Sequence, residues 1–345
     1  MSKKNIMQVK SSTIKEVLKL AHDAGRNVMV WGSPGIGKSA TIKEFAEENG
    51  LGFIDIRLAQ IDPVELAGVP YVVNERTFFA TMSWFPPEGT KGIICFDEID
   101  KATGANQAAM LELAGEERSL RGHKLPDGWT LVAAGNWATD RAGSAGKMLT
   151  ALADRFHPHL EQVVDFDDWR DWAYRANVNP GVIAWLSYKK GANLYDFDPA
   201  TAADELVFAS PRSWKAVSDY LNSGLPRTLY HAVLSGIVGK GQAVEVGAFL
   251  DIMAEMVPPQ KVLADPEGAP VPEKVSVLYA MAGGICSYLT AENVDNFLAY
   301  ALRLSPEFSV MMVDYACKSP ASTAVQMSKG FTTWFQKHGD LMGAC

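Results

Sequence analysis

Up to about residue 165 the chain carries two hydrophobic rhythms, and after that only one. Short apolar-rich runs stand at Val28–Trp31, at 53–56, 93–96 and 131–134, and near 160–164. Runs of this kind suit strands buried on both faces. Between them apolar residues return at helical spacing, as at Ile42, Phe45 and Ala46, with Gly50 as a stop signal. The pattern predicts an α/β fold: a five-stranded parallel sheet with helices between the strands and a ligand at the strands' C-terminal ends. Beyond 165 only the helical rhythm continues. Trp169, Trp172 and Trp185 sit at core-like spacing, 233–257 and 275–304 read as helices around a Pro-rich linker at 258–272, and 323–338 reads as a further helix. The longest uncharged run, 275–291, contains Gly283, Gly284 and two serines and falls short of the roughly 20 residues of a membrane span. It reads as a buried helix, with no membrane role expected.

The ends of the runs carry the chemistry. After Val28–Trp31 comes Gly32-Ser33-Pro34-Gly35-Ile36-Gly37-Lys38-Ser39, which has the G-x-x-x-x-G-K-S spacing of a P-loop. Small residues let backbone N–H groups close around a phosphate chain, and the helix that follows adds the positive end of its dipole. Lys38 is expected at the β- and γ-phosphates, and the Ser39 hydroxyl on Mg²⁺. The expected nucleotide-binding set is Gly32, Pro34, Gly35, Ile36, Gly37, Lys38, Ser39 and Ala40. No N-K-x-D guanine-reading motif is present, so ATP is preferred over GTP.

The run at 93–96 ends in Asp97-Glu98-Ile99-Asp100. A buried strand that delivers two carboxylates at its C-terminal end is the Walker B arrangement, with Asp97 in the Mg²⁺ shell and Glu98 as the base that polarises the attacking water. The run at 131–134 ends at Gly135-Asn136. Asn136 there can orient the lytic water, the sensor 1 role, although an Asn after a strand is also ordinary turn chemistry. Arg155, in Leu152-Ala153-Asp154-Arg155-Phe156, fits an arginine finger offered to a neighbouring subunit; its plain alternative is a surface salt bridge. Arg141 is a second candidate. Ser210-Pro211-Arg212-Ser213-Trp214 opens a helix with Ser as N-cap and Pro in the first turn. Arg212 would face a γ-phosphate as sensor 2, or else be a solvated first-turn residue. His157-Pro158-His159 suggests a metal, but too few further ligands lie nearby.

Together GSPGIGKS, IICFDEID, AAGN, LADRF and SPRSW resemble, in order, the motifs of the AAA+ ATPases, and more narrowly the MoxR-like branch with its helix-2 insert, common in bacteria and their phages. The resemblance covers roughly residues 27–221. The stretch 62–70 resembles the lead into that insert, with Asp62 as N-cap and Pro63 as first helical residue. Residues 71–81 alternate like a short hairpin with Asn74-Glu75 at its tip. The stretch 120–129 resembles the hairpin before sensor 1, with Pro126-Asp127-Gly128 as its turn. The implied organisation is a nucleotide-binding α/β domain over 1–165 with hairpin inserts near 71–81 and 118–129. A helical lid over 166–225 would carry sensor 2, and a helical extension would span 226–345. The resemblance implies an ATP-hydrolysing homo-oligomer, a six-membered ring with sites shared between subunits. It would remodel or mature a protein client, and a partner with a von Willebrand factor A domain is a further implication.

Charge and cysteines narrow the function class. A net charge of −8 argues against a broad nucleic-acid face. A nucleic-acid motor or restriction-type translocase stays open as the alternative, because a ring pore needs few basic residues and Lys91, Arg121 and Lys124 are available near the hairpins. A slowly hydrolysing, nucleotide-switched scaffold fits less well with a complete catalytic set. Cys95, Cys286, Cys317 and Cys345 are far apart and read as free thiols of a reducing, cytoplasmic compartment.

Overall fold

The computed structural model describes residues 6–137, 140, 148–201, 206–254 and 256–341. The chain divides into two compact units: 1–164 with 198–206, and 165–197 with 207–345.

The first unit is built on a six-stranded sheet. Its elements are β1 (Met7–Val9), α1 (Ser11–Asp23), β2 (Val28–Trp31), α2 (Lys38–Glu48), β3 (Gly52–Arg57), α3 (Pro63–Ala67), β4 (Pro70–Val73), β5 (Arg76–Phe79), β6 (Gly92–Asp97), α4 (Gly104–Leu113), β7 (Ser119–Leu120), β8 (His123–Lys124), β9 (Trp129–Gly135), α5 (Thr150–Ala153) and β10 (His159–Gln162). The sheet order is β1-β10-β2-β9-β6-β3, with every neighbouring pair parallel. The expected five strands are all present, and β1 is a sixth. Its three residues are mostly exposed, so it lacks the apolar signature that marks the others.

Burial on both faces explains why the central strands are apolar throughout. On one face Met29, Trp31, Ile94, Phe96, Leu131 and Ala133 pack with Leu66, Met110, Leu113 and Phe156. On the other, Val28, Val30, Ile93, Cys95, Val132 and Ala134 pack with Ile14 and Leu18 of α1 and Ile42 and Phe45 of α2. Adjacent residues of one strand enter opposite layers, as strand geometry requires. Each fully buried aliphatic or aromatic side chain contributes about 1.5–3 kcal/mol, which fixes the strand ends and what they carry.

The two short hairpins lie beside this sheet in sequence. β4 and β5 pair around Asn74 and Glu75, both with positive φ (49° and 62°), the geometry of a tight two-residue turn. The second hairpin differs from expectation. β7 and β8 turn at Arg121 (φ 51°) and Gly122 (φ 85°), whereas Pro126-Asp127-Gly128 serves the entry into β9. The hairpins touch: His123 Nε2 lies 2.8 Å from the Phe79 carbonyl oxygen, and the Arg121 guanidinium stacks over the Phe79 ring.

The second unit is helical: α6 (Phe166–Arg175), α7 (Pro180–Tyr188), α8 (Pro211–Asn222), α9 (Tyr230–Val238), α10 (Lys240–Ala254), α11 (Pro259–Ala264), α12 (Val275–Ile285), α13 (Val294–Ala301), α14 (Pro306–Cys317), α15 (Ser322–Met327) and α16 (Lys329–His338). Two of the expected long helices are broken. The stretch 233–257 is interrupted at Gly239, whose φ of 84° leaves the helical region. The stretch 275–304 is interrupted after α12, where Asn293 accepts the Thr290 N–H (2.8 Å) and donates to the Tyr288 carbonyl (2.9 Å) before α13 begins. The linker at 258–272 itself holds α11, and Ser328 caps α16 and divides the tail. Trp169 and Trp185 are buried in the core of this unit. No described helix is long and apolar enough to cross a membrane.

Candidate functional site

The site forms where β2, β6 and β9 end side by side. β2 stops at Trp31 and α2 starts at Lys38, so residues 32–37 form the loop between them. Gly37 takes the N-cap position of α2 with φ 94°, a conformation that a side chain would strain. The first N–H groups of α2 therefore face the loop with no side-chain cap.

Lys38 is buried. Its Nζ donates to the carbonyls of Gly32 (2.9 Å) and Ser33 (3.0 Å) and to Asn136 Oδ1 (2.7 Å). The Ser39 hydroxyl donates to Asp97 Oδ2 at 2.6 Å. The structure thus gathers Lys38, Ser39, Asp97 and Asn136 from positions spread over about a hundred residues. Asp97 Oδ1 accepts the Glu98 N–H (2.9 Å), and Glu98 adopts φ 55°, which turns the chain sharply out of β6. Its carboxylate pairs with Lys101 Nζ at 2.5 Å. In the same turn Asp100 is buried, and its Oδ1 accepts the Asn136 N–H at 3.1 Å. Burial, and then the negative charge of Asp97, push the Asp55 carboxyl on β3 above its ordinary range.

Three contacts were outside the sequence reading. Asp100 ends the Asp-Glu-Ile-Asp string and Lys101 follows it, but only packing shows which side chain each one meets. Ser33 donates its hydroxyl hydrogen to Asp140 Oδ2 (2.7 Å). Both ring nitrogens of His159 are engaged: its Nδ1 accepts the Trp31 indole N–H (3.0 Å), its Nε2 lies 2.9 Å from the Ala153 carbonyl oxygen, and burial lowers its pKa. Among the described residues no group of three or more His, Cys, Asp or Glu side chains could hold a metal. Cys95, Cys286 and Cys317 form no disulfide among the described residues, and Cys345 lies outside them.

Arg155 follows α5 and is exposed. Its backbone carbonyl accepts from Asn27 Nδ2 (3.0 Å), while its guanidinium meets no partner among the described residues. Arg212 belongs to the second unit and is exposed in the first turn of α8, behind a capping box formed by Ser210 and Ser213. Arg141 lies outside the described residues.

Residues 28–161 match the family model described as ATPase family associated with various cellular activities (AAA). Over that stretch the chain is similar to an AAA ATPase domain. The matched stretch runs from the start of β2 into β10, and so contains the loop, Asp97, Glu98, Asn136 and Arg155. An AAA domain binds nucleotide, and here a glycine-rich loop entering a helix supplies the backbone donors that a triphosphate needs. No curated protein matches the chain. Among solved structures it is similar to the RuvB Holliday junction branch migration motor of Thermotoga maritima, at 14% identity over 85% of this chain and 86% of that one, with a TM-score of 0.40. It is also similar to NtrX from Brucella abortus in complex with ADP, at 11% identity over 95% and 68% of the two chains, with a TM-score of 0.39.

Proposed function

We propose that this chain hydrolyses ATP as one subunit of a MoxR-type ring that remodels or matures a protein partner in the cytoplasm. The observation that carries the hydrolytic reading is the meeting of three strand ends through Lys38–Asn136 (2.7 Å) and Ser39–Asp97 (2.6 Å). The Ser39 hydroxyl and the Asp97 carboxylate are hard oxygen donors already in contact, which is the donor chemistry that suits Mg²⁺. When bound, that ion would neutralise phosphate charge. Lys38 would bind the β- and γ-phosphates in place of its present loop contacts. Glu98, once released from Lys101, would take the proton of the attacking water. Asn136 would orient that water, and Arg212 would serve as sensor 2 from the lid.

The exposed guanidinium of Arg155 supports a site completed by a second copy of the chain. A residue offered outward in this way implies head-to-tail contacts, which close into rings; six members is the family's expectation. The paired hairpins, with Tyr71, Val72, Val73 and Phe78 exposed, would carry the motion to the client. A partner with a von Willebrand factor A domain fits the same reading.

Glu98→Gln is expected to bind ATP normally and to lose turnover by about 10²–10⁴-fold. Turnover at the wild-type rate in that variant would overturn the assignment. Arg155→Ala is expected to be inactive alone and to poison wild-type subunits when mixed with them. A fully active monomer would rule out the shared site. Salt-sensitive stimulation of turnover by DNA would instead favour the nucleic-acid motor.

A further inference from the structure

The turn after Glu98 holds a carboxylate with no place in the scheme above. Asp100 is 3% exposed, too buried to serve as a surface ion. Its Oδ1 accepts the backbone N–H of Asn136 at 3.1 Å. That N–H lies just past the last residue of β9, where the sheet ladder no longer supplies an acceptor. The side chain of the same Asn136 accepts the Lys38 ammonium at 2.7 Å. One residue earlier stands Gly135, and a Cβ built there would lie 2.8 Å from Asp100 Oδ1, closer than a real Cβ approaches. Glycine at 135 therefore leaves room for the Asp100 carboxylate, which holds Asn136 at its backbone N–H.

On the reading that this site hydrolyses ATP, we infer that Asp100 is a positioning residue. Its carboxylate fixes the backbone of Asn136, so that the Asn136 amide stays aimed at Lys38 and at the space beside the γ-phosphate. Asp100 touches neither substrate nor attacking water. It couples the end of β6, which carries Asp97 and Glu98, to the end of β9 through one hydrogen bond that the sheet itself does not make.

The test is steady-state ATP hydrolysis together with direct ATP binding, on the full chain, for wild type, Asp100→Ala, Asp100→Asn and Gly135→Ala, with Lys38→Ala as a control. Losing a partner that orients a functional group typically costs about 10–100-fold in activity. Asp100→Ala is expected to lower kcat by that factor with KM within about twofold, the mark of an interaction that matters in the transition state. Asp100→Asn keeps an Oδ1 acceptor and is expected to recover kcat to within about threefold of wild type. Gly135→Ala leaves the carboxylate but pushes it off Asn136, and is expected to behave like Asp100→Ala. Unchanged kcat in Asp100→Ala, or no recovery in Asp100→Asn, overturns the proposal. Should Asp100→Ala not fold, Gly135→Ala decides in the same way. A wild-type chain without turnover, or a Lys38→Ala variant as active as wild type, refutes the hydrolytic reading instead.

Discussion

The two units bury charge in opposite ways. In the first, Lys38, Ser39, Asp97, Asp100 and Asn136 come from neighbouring strand ends and from the turn and helix start that follow them, and meet at one end of a parallel sheet. In the second, Arg170 lies between helices with its side chain 5% exposed. It pairs with Asp167 one turn earlier (3.0 Å), lies within 3.8 Å of Asp314 on α14, and stacks over the Tyr315 ring at 4.6 Å. The first arrangement places polar groups where a parallel sheet offers them to a ligand. The second encloses a cation against aromatic faces, with its counter-ions at the partly exposed rim, so its contribution is to packing. The contrast teaches that buried charge marks chemistry only where the fold leaves it a face toward a ligand.

The largest effect tests the enclosed charge. Arg170→Ala removes the buried guanidinium and its packing against the Tyr315 ring, which is expected to cost about 3 kcal/mol of unfolding free energy. Urea denaturation reads the loss, and nucleotide affinity of the folded fraction should stay at the wild-type value. A change in affinity with stability intact would break the contrast between the units.

Lys38→Ala probes the other arm. It is expected to lower kcat/KM for ATP by about 100-fold, or about 2.7 kcal/mol of transition-state binding. The rise in melting temperature that ATP confers on the wild type should disappear, because ligand stabilisation follows affinity. The melting temperature without nucleotide should move little. A large drop there would mean that Lys38 serves packing as Arg170 does.

The smallest effect concerns protons. Burial lowers the pKa of His159, and also that of His22, whose Nδ1 lies 2.9 Å from Thr130 Oγ1. Such groups stay neutral in the folded chain while the unfolded chain takes up the proton below about pH 6.5. The unfolded state then binds more protons, so stability declines as pH falls through that value toward the lower folded pKa. Melting curves between about pH 7.5 and 5.5 should show this decline. His159→Gln should flatten it, and an unchanged slope would remove His159 from the account.

The loop at 32–39 was legible because its chemistry is local: glycine backbone freedom, one ammonium and one hydroxyl at set offsets along a single strand–helix turn. Asp97 and Glu98 were legible for the same reason, since they follow an apolar strand directly. β1 was not, because Met7–Val9 gains its strand character only from pairing with β10. The turn at Arg121-Gly122 lost out to the stronger Pro-Asp-Gly signal nearby, although Gly122 with φ 85° does the turning. Helix continuity was overread at Gly239 and before Asn293, where one positive φ and one pair of side-chain hydrogen bonds to the preceding turn outweigh an apolar rhythm. Asp100 and Lys101 were visible as letters, but nothing in their spacing says that one meets Asn136 and the other Glu98.

By itself the sequence determined the alternation of strands and helices in the first unit, the phosphate loop and the two carboxylates after it. Those depend on residues within a few positions of one another. Tertiary structure alone decided the strand order, the meeting of Lys38 with Asn136 and of Ser39 with Asp97, and the enclosure of Asp100 and Arg170. Each of those contacts joins segments whose approach is set by packing on both faces of the sheet or between helices, and hydrophobic burial is non-directional until a particular fold gives it neighbours.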